Sequence, residues 1–125
     1  MLKRLLMTMA GIAFLATAAP RAQAESALDF QLVNATGYGI SAIYIAPSSS
    51  KNWGANILEE GLGDGESASV TFQPAAAHIG KWDLRVSWED EEDPDVYWTG
   101  YDLSKISKIT LKYDHASNKT SAIVE

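Results

Sequence analysis

Alternation of apolar and polar residues at every second position is the pattern that most restricts how this chain can fold. It is clearest over residues 82–88, where tryptophan or an aliphatic residue takes every second position and Asp, Arg or Ser lies between. Successive side chains of a β-strand point to opposite faces, so this pattern is typical of a strand with one buried face. The same repeat occurs over residues 28–32, 68–72 and 109–113. The chain is therefore expected to be all-β.

Turn signals separate these alternating segments and set the number of strands. Three clusters that contain Gly, Asn or Asp lie between apolar segments, at residues 35–39, 61–65 and 114–118. Further apolar segments, at residues 40–45, 96–101 and 122–124, bring the total to about seven short strands. Short strands at near-regular spacing predict an antiparallel β-sandwich or a small barrel.

One segment, residues 50–58, departs from the alternation and suggests one short helix. Trp53 and Ile57 are four positions apart, which places them on one helical face, and Ser50 can cap the start. Gly54 weakens a helix at this point. A loop with a single helical turn therefore fits the segment equally well.

The first 24 residues have the features of an export signal. Lys3 and Arg4 precede a mostly apolar stretch over residues 5–19, and Ala22-Gln23-Ala24 supplies the small-x-small pattern that a signal peptidase accepts. The apolar stretch is short for a membrane span of about 20 residues, and an uncleaved anchor is the alternative. We expect cleavage after residue 24, which leaves one periplasmic or secreted domain over residues 25–125 without a membrane span.

Charge and cysteine content exclude several classes of function. The whole chain has a formal net charge of −6, and loss of Lys3, Arg4 and Arg21 with the signal peptide makes the mature charge −9. An acidic surface repels phosphates, so nucleic acid is not an expected partner. The chain contains no cysteine, which excludes thiol nucleophiles, thiolate zinc sites and disulfides.

Two groups of segments resemble a known family. The first runs from Gln31-Leu32-Val33-Asn34-Ala35-Thr36-Gly37 through Ile43-Tyr44-Ile45-Ala46-Pro47-Ser48 to Trp53-Gly54, and the second combines Trp82-Asp83-Leu84-Arg85-Val86 with Trp98-Thr99-Gly100-Tyr101-Asp102-Leu103 and Ile109-Thr110-Leu111. Together they resemble a family of small exported bacterial β-domains without an assigned biochemical role. The resemblance covers nearly the whole mature chain, but its motifs are packing motifs.

The resemblance carries two further implications. Some members are labelled argininosuccinate lyase, a much longer helical enzyme whose Gly-Ser-Ser-x-Met-Pro loop is absent from this chain, so that label is rejected here. The family pattern also implies a pair of cysteines, near Gly80 and at Ser104. This chain lacks both cysteines, and the cross-link with them.

An acidic run is the first candidate for a site. Six carboxylates fill seven positions between two predicted strands: Glu89, Asp90, Glu91, Glu92, Asp93 and Asp95. A hard cation would relieve their repulsion, since calcium takes six to eight oxygen ligands and a lanthanide favours the same ones. The run is not an EF-hand, because the glycine and the final glutamate of that loop are missing. The alternative is a solvated hairpin tip that serves solubility.

Aromatic residues are the second candidate. The alternation places Trp82, Trp88 and Trp98 in the core and predicts that Tyr97 and Tyr101 point the other way from Trp98. Tyr97, Tyr101 and Trp53 are therefore the predicted partner-binding residues, able to stack on a sugar ring or grip a peptide.

Catalytic patterns are weak in this sequence. Ser48, Ser49 and Ser50 lack the Gly-x-Ser-x-Gly context of a hydrolase nucleophile, and His78 and His115 lie in different predicted turns. We expect no enzymatic activity, no catalytic residues and no cofactor other than a calcium-like cation. The expected function is that of an exported protein that binds such a cation through its acidic loop. A protein- or glycan-interaction module that uses the exposed aromatics is the alternative, and a structural envelope protein without a small ligand is a third.

Overall fold

Two β-sheets pack face to face in this protein, whose structure is a computed structural model describing residues 16–19 and 26–125. Seven strands lie between Phe30 and Val124, and a short strand precedes them. The strands are β1 (Ala16–Ala19), β2 (Phe30–Ala35), β3 (Ile40–Pro47), β4 (Ser67–Phe72), β5 (Trp82–Trp88), β6 (Val96–Tyr101), β7 (Lys108–Asp114) and β8 (Lys119–Val124). One sheet has the order β1-β4-β2-β7-β8 and the other the order β3-β5-β6. The predicted all-β sandwich is confirmed, and the described strands form no closed barrel.

The apolar positions of the alternating sequence pattern are the buried positions of the folded strands. In β5 the tryptophan and aliphatic positions are buried and the residues between them are half-buried. Trp82 is 1% exposed, and its indole N–H donates to the Ile79 carbonyl at 3.1 Å, which satisfies its polar atom. Its ring contacts Phe72 of β4, with ring centroids 5.1 Å apart, and so joins the two sheets. Truncating a tryptophan at such a position to alanine typically costs about 3–5 kcal/mol.

Most neighbouring strands are antiparallel, but β2 and β7 are parallel. Leu32 lies opposite Ile109 and Asn34 lies opposite Leu111 in this pair. Parallel neighbours need a crossover connection, and here that connection contains the whole second sheet. The second strand and the next-to-last strand are thus adjacent at the centre of one sheet.

Residues 50–58 form a loop, which was one of the two alternatives for this segment. The Asn56 carboxamide oxygen accepts hydrogen bonds from the Ile43 and Leu58 amides, both at 2.9 Å, and so ties the loop to β3. Gly54 adopts a φ of 77°, a conformation that a helix does not contain. Among the described residues the helical turns are 3₁₀ turns, at Pro74–His78 and Leu103–Lys105.

The predicted signal peptide lies outside the described residues, with the exception of β1. That strand pairs antiparallel with β4, with Ala16 opposite Phe72 and Ala19 opposite Ser69. Within the part of the chain that the structure describes, no helix has the length and apolar character needed to cross a bilayer.

Candidate functional site

Two surfaces bring together the residues with binding chemistry. The first, which we call the aromatic face, is formed on the outer side of the β3-β5-β6 sheet by Tyr44, Arg85, Tyr97 and the loop residue Trp53. The second, which we call the end groove, lies at one end of the sandwich, between the acidic loop and the β7–β8 hairpin.

Strand register places three residues of the aromatic face in one row. Tyr44 pairs with Arg85, and Arg85 pairs with Tyr97, across three adjacent strands. Because Leu84 and Val86 of β5 point inward, Arg85 between them points outward. The Arg85 guanidinium carbon lies 4.9 Å from the centre of the Tyr44 ring and 5.7 Å from that of Tyr97. These distances allow cation–π contact with both rings.

The acidic loop supplies the counter-ion that fixes Arg85. Arg85 Nε and Nη2 lie 2.8 and 2.6 Å from Asp95 Oδ2, and both side chains are partly buried. The hydrogen bond that Arg85 donates to Asp95 raises the pKa of Arg85, against a smaller opposing effect of burial. Asp95 therefore pairs with Arg85 and fixes its side chain within the aromatic face.

Trp53 extends the row of rings beyond the sheet. Its ring centroid lies 5.9 Å from that of Tyr97, with an angle of 42° between the planes. Tyr97 is 54% exposed, the most exposed of the large apolar side chains that the structure describes. The two rings form a shallow aromatic surface that solvent reaches.

Tyr101 is not part of this surface, and the prediction that it shares a face with Tyr97 is wrong. Leu84 pairs with Trp98, but Trp82 pairs with Tyr101, so β6 contains one more residue than β5 over this interval. This bulge turns Tyr101 to the same side as Trp98, and both pack against the core. Gly100, with a φ of 74°, lies within the bulge, and a glycine inside a strand was the sequence signal for it.

The acidic loop is attached to the body of the protein at several points. The Trp88 indole N–H donates to the Pro94 carbonyl at 3.1 Å, and the Asp90 carboxylate accepts from the Glu92 amide at 3.0 Å. The Glu89 carboxylate folds back over Gly39, where any larger residue would collide with it. The loop is an ordered turn with its carboxylates pointing in different directions.

This arrangement does not gather the predicted metal ligands. Within residues 16–19 and 26–125, no three His, Asp or Glu side chains form a group that could hold a metal ion. Asp95 is paired with Arg85, Glu89 lies over Gly39, and Glu91 and Glu92 are exposed. Calcium binding by the acidic run stays a prediction from the sequence.

The end groove has a volume of about 420 Å³. It is lined by aromatic, acidic and small polar residues: Tyr38, Trp88, Asp90, Asp93, Pro94, Val96, Tyr113, Asn118 and Thr120. Tyr38 and Tyr113 meet edge to face, with ring centroids 5.5 Å apart. Two of the predicted metal ligands, Asp90 and Asp93, thus share a groove with aromatic rings.

A buried amide positions Tyr38 at this groove. Asn34 is fully buried, and its Nδ2 donates to the carbonyls of Tyr38 at 2.8 Å and Leu62 at 2.9 Å. Its Oδ1 accepts from the amide and the hydroxyl of Thr36. The Asn34-Ala35-Thr36 sequence is therefore the framework of a turn.

Sequence reasoning missed Tyr44, Arg85, Tyr38 and Tyr113. Tyr44 lies between Ile43 and Ile45 in a largely apolar segment, so no alternation marks its outward position. Tyr38 and Tyr113 are 75 positions apart in the sequence, and only the pairing of distant strands brings them together. Arg85 was recognisable as outward-facing, but its aromatic neighbours were not.

Comparisons with known proteins do not assign the chain to a group. No protein family matches it, and searches of the curated proteins and of the solved structures return no match. The resemblance to exported bacterial β-domains stays an expectation, and a functional proposal depends on the residues described above.

Proposed function

We propose that this chain is an exported, non-enzymatic binding protein that recognises a glycan through its aromatic face. The observation that carries this proposal is the pairing of Trp53 with Tyr97, two rings 5.9 Å apart, one of them 54% exposed. Adjoining exposed aromatic rings are typical of binding surfaces, and ring faces stack well on the apolar faces of sugars.

The surroundings of these rings favour a glycan over a protein partner. The loop that precedes Trp53 presents Ser48, Ser49, Ser50 and Asn52, all exposed, and Arg85 and Asp95 lie beside Tyr97. Sugar hydroxyls need such hydrogen-bonding groups next to a stacking ring. A protein hot spot, by contrast, is usually enclosed by a wider ring of contacts that excludes water.

Export and the absence of catalysis belong to the same proposal. The export signal over residues 1–24 supports a location outside the cytoplasm, where glycans are available. Mass spectrometry of the protein recovered from outside the cytoplasm should give a chain that starts at Glu25. A mature protein that retains Met1 would contradict processing.

Titration with soluble oligosaccharides, followed by the indole N–H signal of Trp53 in a ¹⁵N-correlated NMR spectrum, tests the glycan proposal. We expect Tyr97→Ala to weaken binding by roughly fivefold to tenfold, because loss of one aromatic stacking partner costs about 1 kcal/mol or slightly more. Trp53→Ala lacks the reporter signal, so its titration is followed by calorimetry, and we expect the same loss of affinity. Tyr38→Ala is the matched control, since Tyr38 is also exposed but lies in the end groove.

Two results would overturn the proposal. One is equal glycan affinity in wild type and Tyr97→Ala, and the other is failure of every oligosaccharide to move the Trp53 signal. Turnover of a bound oligosaccharide by the purified protein, lost in the Tyr97→Ala variant, would contradict the non-enzymatic assignment alone.

A further inference from the structure

The end groove combines aromatic walls with negative charge. Tyr38, Trp88 and Tyr113 supply rings, and the Asp90 and Asp93 carboxylates lie at the same groove. Among the described residues, no Lys or Arg lies within ion-pair distance of either carboxylate. The groove therefore favours a positively charged occupant.

The hydrogen-bonding groups of the rings are already engaged. The Trp88 indole N–H donates to the Pro94 carbonyl, the Tyr113 hydroxyl donates to Asn118 Oδ1, and the Tyr38 hydroxyl lies 3.2 Å from His115 Nε2. The Tyr38 and Tyr113 rings also contact each other and His115, so what remains for an occupant is the ring surface that lines the groove. Cation–π contact with several aromatic rings is the characteristic way in which proteins recognise a quaternary ammonium group, which donates no hydrogen bonds of its own.

A metal ion fits this lining poorly. Hard cations need several oxygen ligands converging on one point, and no such group of acidic side chains is present in the described part of the chain. The volume of about 420 Å³ is also that of a site for a small organic molecule.

We propose that the end groove binds a small organic molecule with a quaternary ammonium group. The cation contacts the rings of Tyr38, Trp88 and Tyr113 by cation–π attraction, and the carboxylates of Asp90 and Asp93 neutralise its charge. This site is separate from the aromatic face and does not depend on the glycan proposal.

Choline and its neutral analogue, in which carbon replaces the quaternary nitrogen, are the matched probes. The two molecules have nearly the same shape, so a difference in affinity reports the charge. The chain has four tryptophans, and each gives one indole N–H signal in a ¹⁵N-correlated NMR spectrum. We expect choline to shift the Trp88 signal and leave the Trp53 signal in place, and we expect the neutral analogue to bind about tenfold more weakly.

Variants separate this proposal from a general effect of charge. Asp93→Asn removes one groove carboxylate at an exposed position and should weaken choline binding by about threefold to tenfold. Glu91→Gln, an exposed residue of the same loop outside the groove, is the charge-matched control and should leave the affinity unchanged. Tyr97→Ala should also leave it unchanged, so a failure of the glycan proposal would not affect this test.

Three results would overturn the proposal. The first is a Trp88 signal that does not move at tens of millimolar choline, and the second is equal affinity for the neutral analogue. The third is a lysine-rich peptide that displaces choline and binds more tightly, which would assign the groove to a basic polypeptide.

Discussion

The indole N–H of Trp88 donates a hydrogen bond to the carbonyl oxygen of Pro94 at 3.1 Å. Trp88 is the last inward-facing residue of β5, and Pro94 precedes the first residues of β6. The bond closes the acidic loop on the strand from which it starts. It also keeps the Trp88 ring at the end groove, so one contact serves both the fold and the proposed site.

Replacement of Trp88 by phenylalanine should destabilise the protein and loosen the acidic loop. The variant retains an aromatic ring but loses the hydrogen bond to the Pro94 carbonyl and the core contacts of the larger indole, at a combined cost of about 1–3 kcal/mol. Urea denaturation and amide hydrogen exchange over residues 89–95 measure the two effects. Trp53→Phe is the control and should change stability by about 0.5 kcal/mol or less, because Trp53 lies on the outer face. Equal effects of the two substitutions would contradict a special role for Trp88.

Replacement of Asn34 by alanine should be among the most destabilising changes of a single polar residue. Each buried partner left without its hydrogen bond costs about 1–3 kcal/mol, and the Asn34 amide serves Thr36, Tyr38 and Leu62. Because Tyr38 depends on this turn, choline binding should weaken in parallel. Chemical denaturation and the choline titration measure these effects, with the exposed Asn52→Ala as control. A fully stable Asn34→Ala protein would show that the turn forms without the amide.

The inward position of Tyr101 should appear as a dependence of stability on alkaline pH. Burial raises the pKa of Tyr101 above its ordinary value of 10.0, because the phenolate loses hydration. The stabilisation is complete below pH 10.0 and is lost as the pH rises through the raised pKa, because the unfolded chain ionises first. Urea denaturation above pH 10 should therefore show a steeper loss of stability in wild type than in Tyr101→Phe. If the free energy of unfolding fell equally with pH in wild type and Tyr101→Phe, Tyr101 would be exposed to solvent.

The prediction that the acidic run binds a cation can be tested by adding calcium and measuring the melting temperature. A site filled at a hundredfold excess over its dissociation constant would stabilise the protein by about 2.7 kcal/mol. Because the carboxylates of this loop point in different directions, we expect millimolar calcium or lanthanide to leave the melting temperature nearly unchanged. A rise that disappears in Asp90→Asn would support the cation hypothesis and show that the loop rearranges around the ion, whereas no rise would contradict that hypothesis.

The strands were predictable because burial follows a local rule. In β5 every second residue is apolar, and every second residue is buried. Tyr101 escaped this rule because the bulge at Gly100 inserts one residue, and a shift of one reverses the face of every residue that follows. The helix-or-loop choice at residues 50–58 depended on Asn56, whose contact with Ile43 belongs to the tertiary structure.

The candidate sites were less predictable than the strands. The acidic run and the aromatic residues were visible in the sequence, but their combination was not. Asp95 forms an ion pair with Arg85, ten positions away in the sequence. Asp90 and Asp93, by contrast, line the end groove together with tyrosines from distant parts of the chain. Such groupings depend on strand order, which the pattern of apolar residues leaves undetermined.

The parallel pairing of β2 with β7 has a consequence for biogenesis. One edge of β2 pairs with β4, but residues 31–35 find their second neighbour only at residues 108–112, so a growing chain cannot complete this five-stranded sheet until synthesis is nearly finished. Folding that waits for such distant contacts is slow. A polypeptide that threads through a translocation pore must stay unfolded during transit. If the chain is exported as proposed above, a sandwich that is completed only after the last strands have been synthesised would give the export machinery time to act.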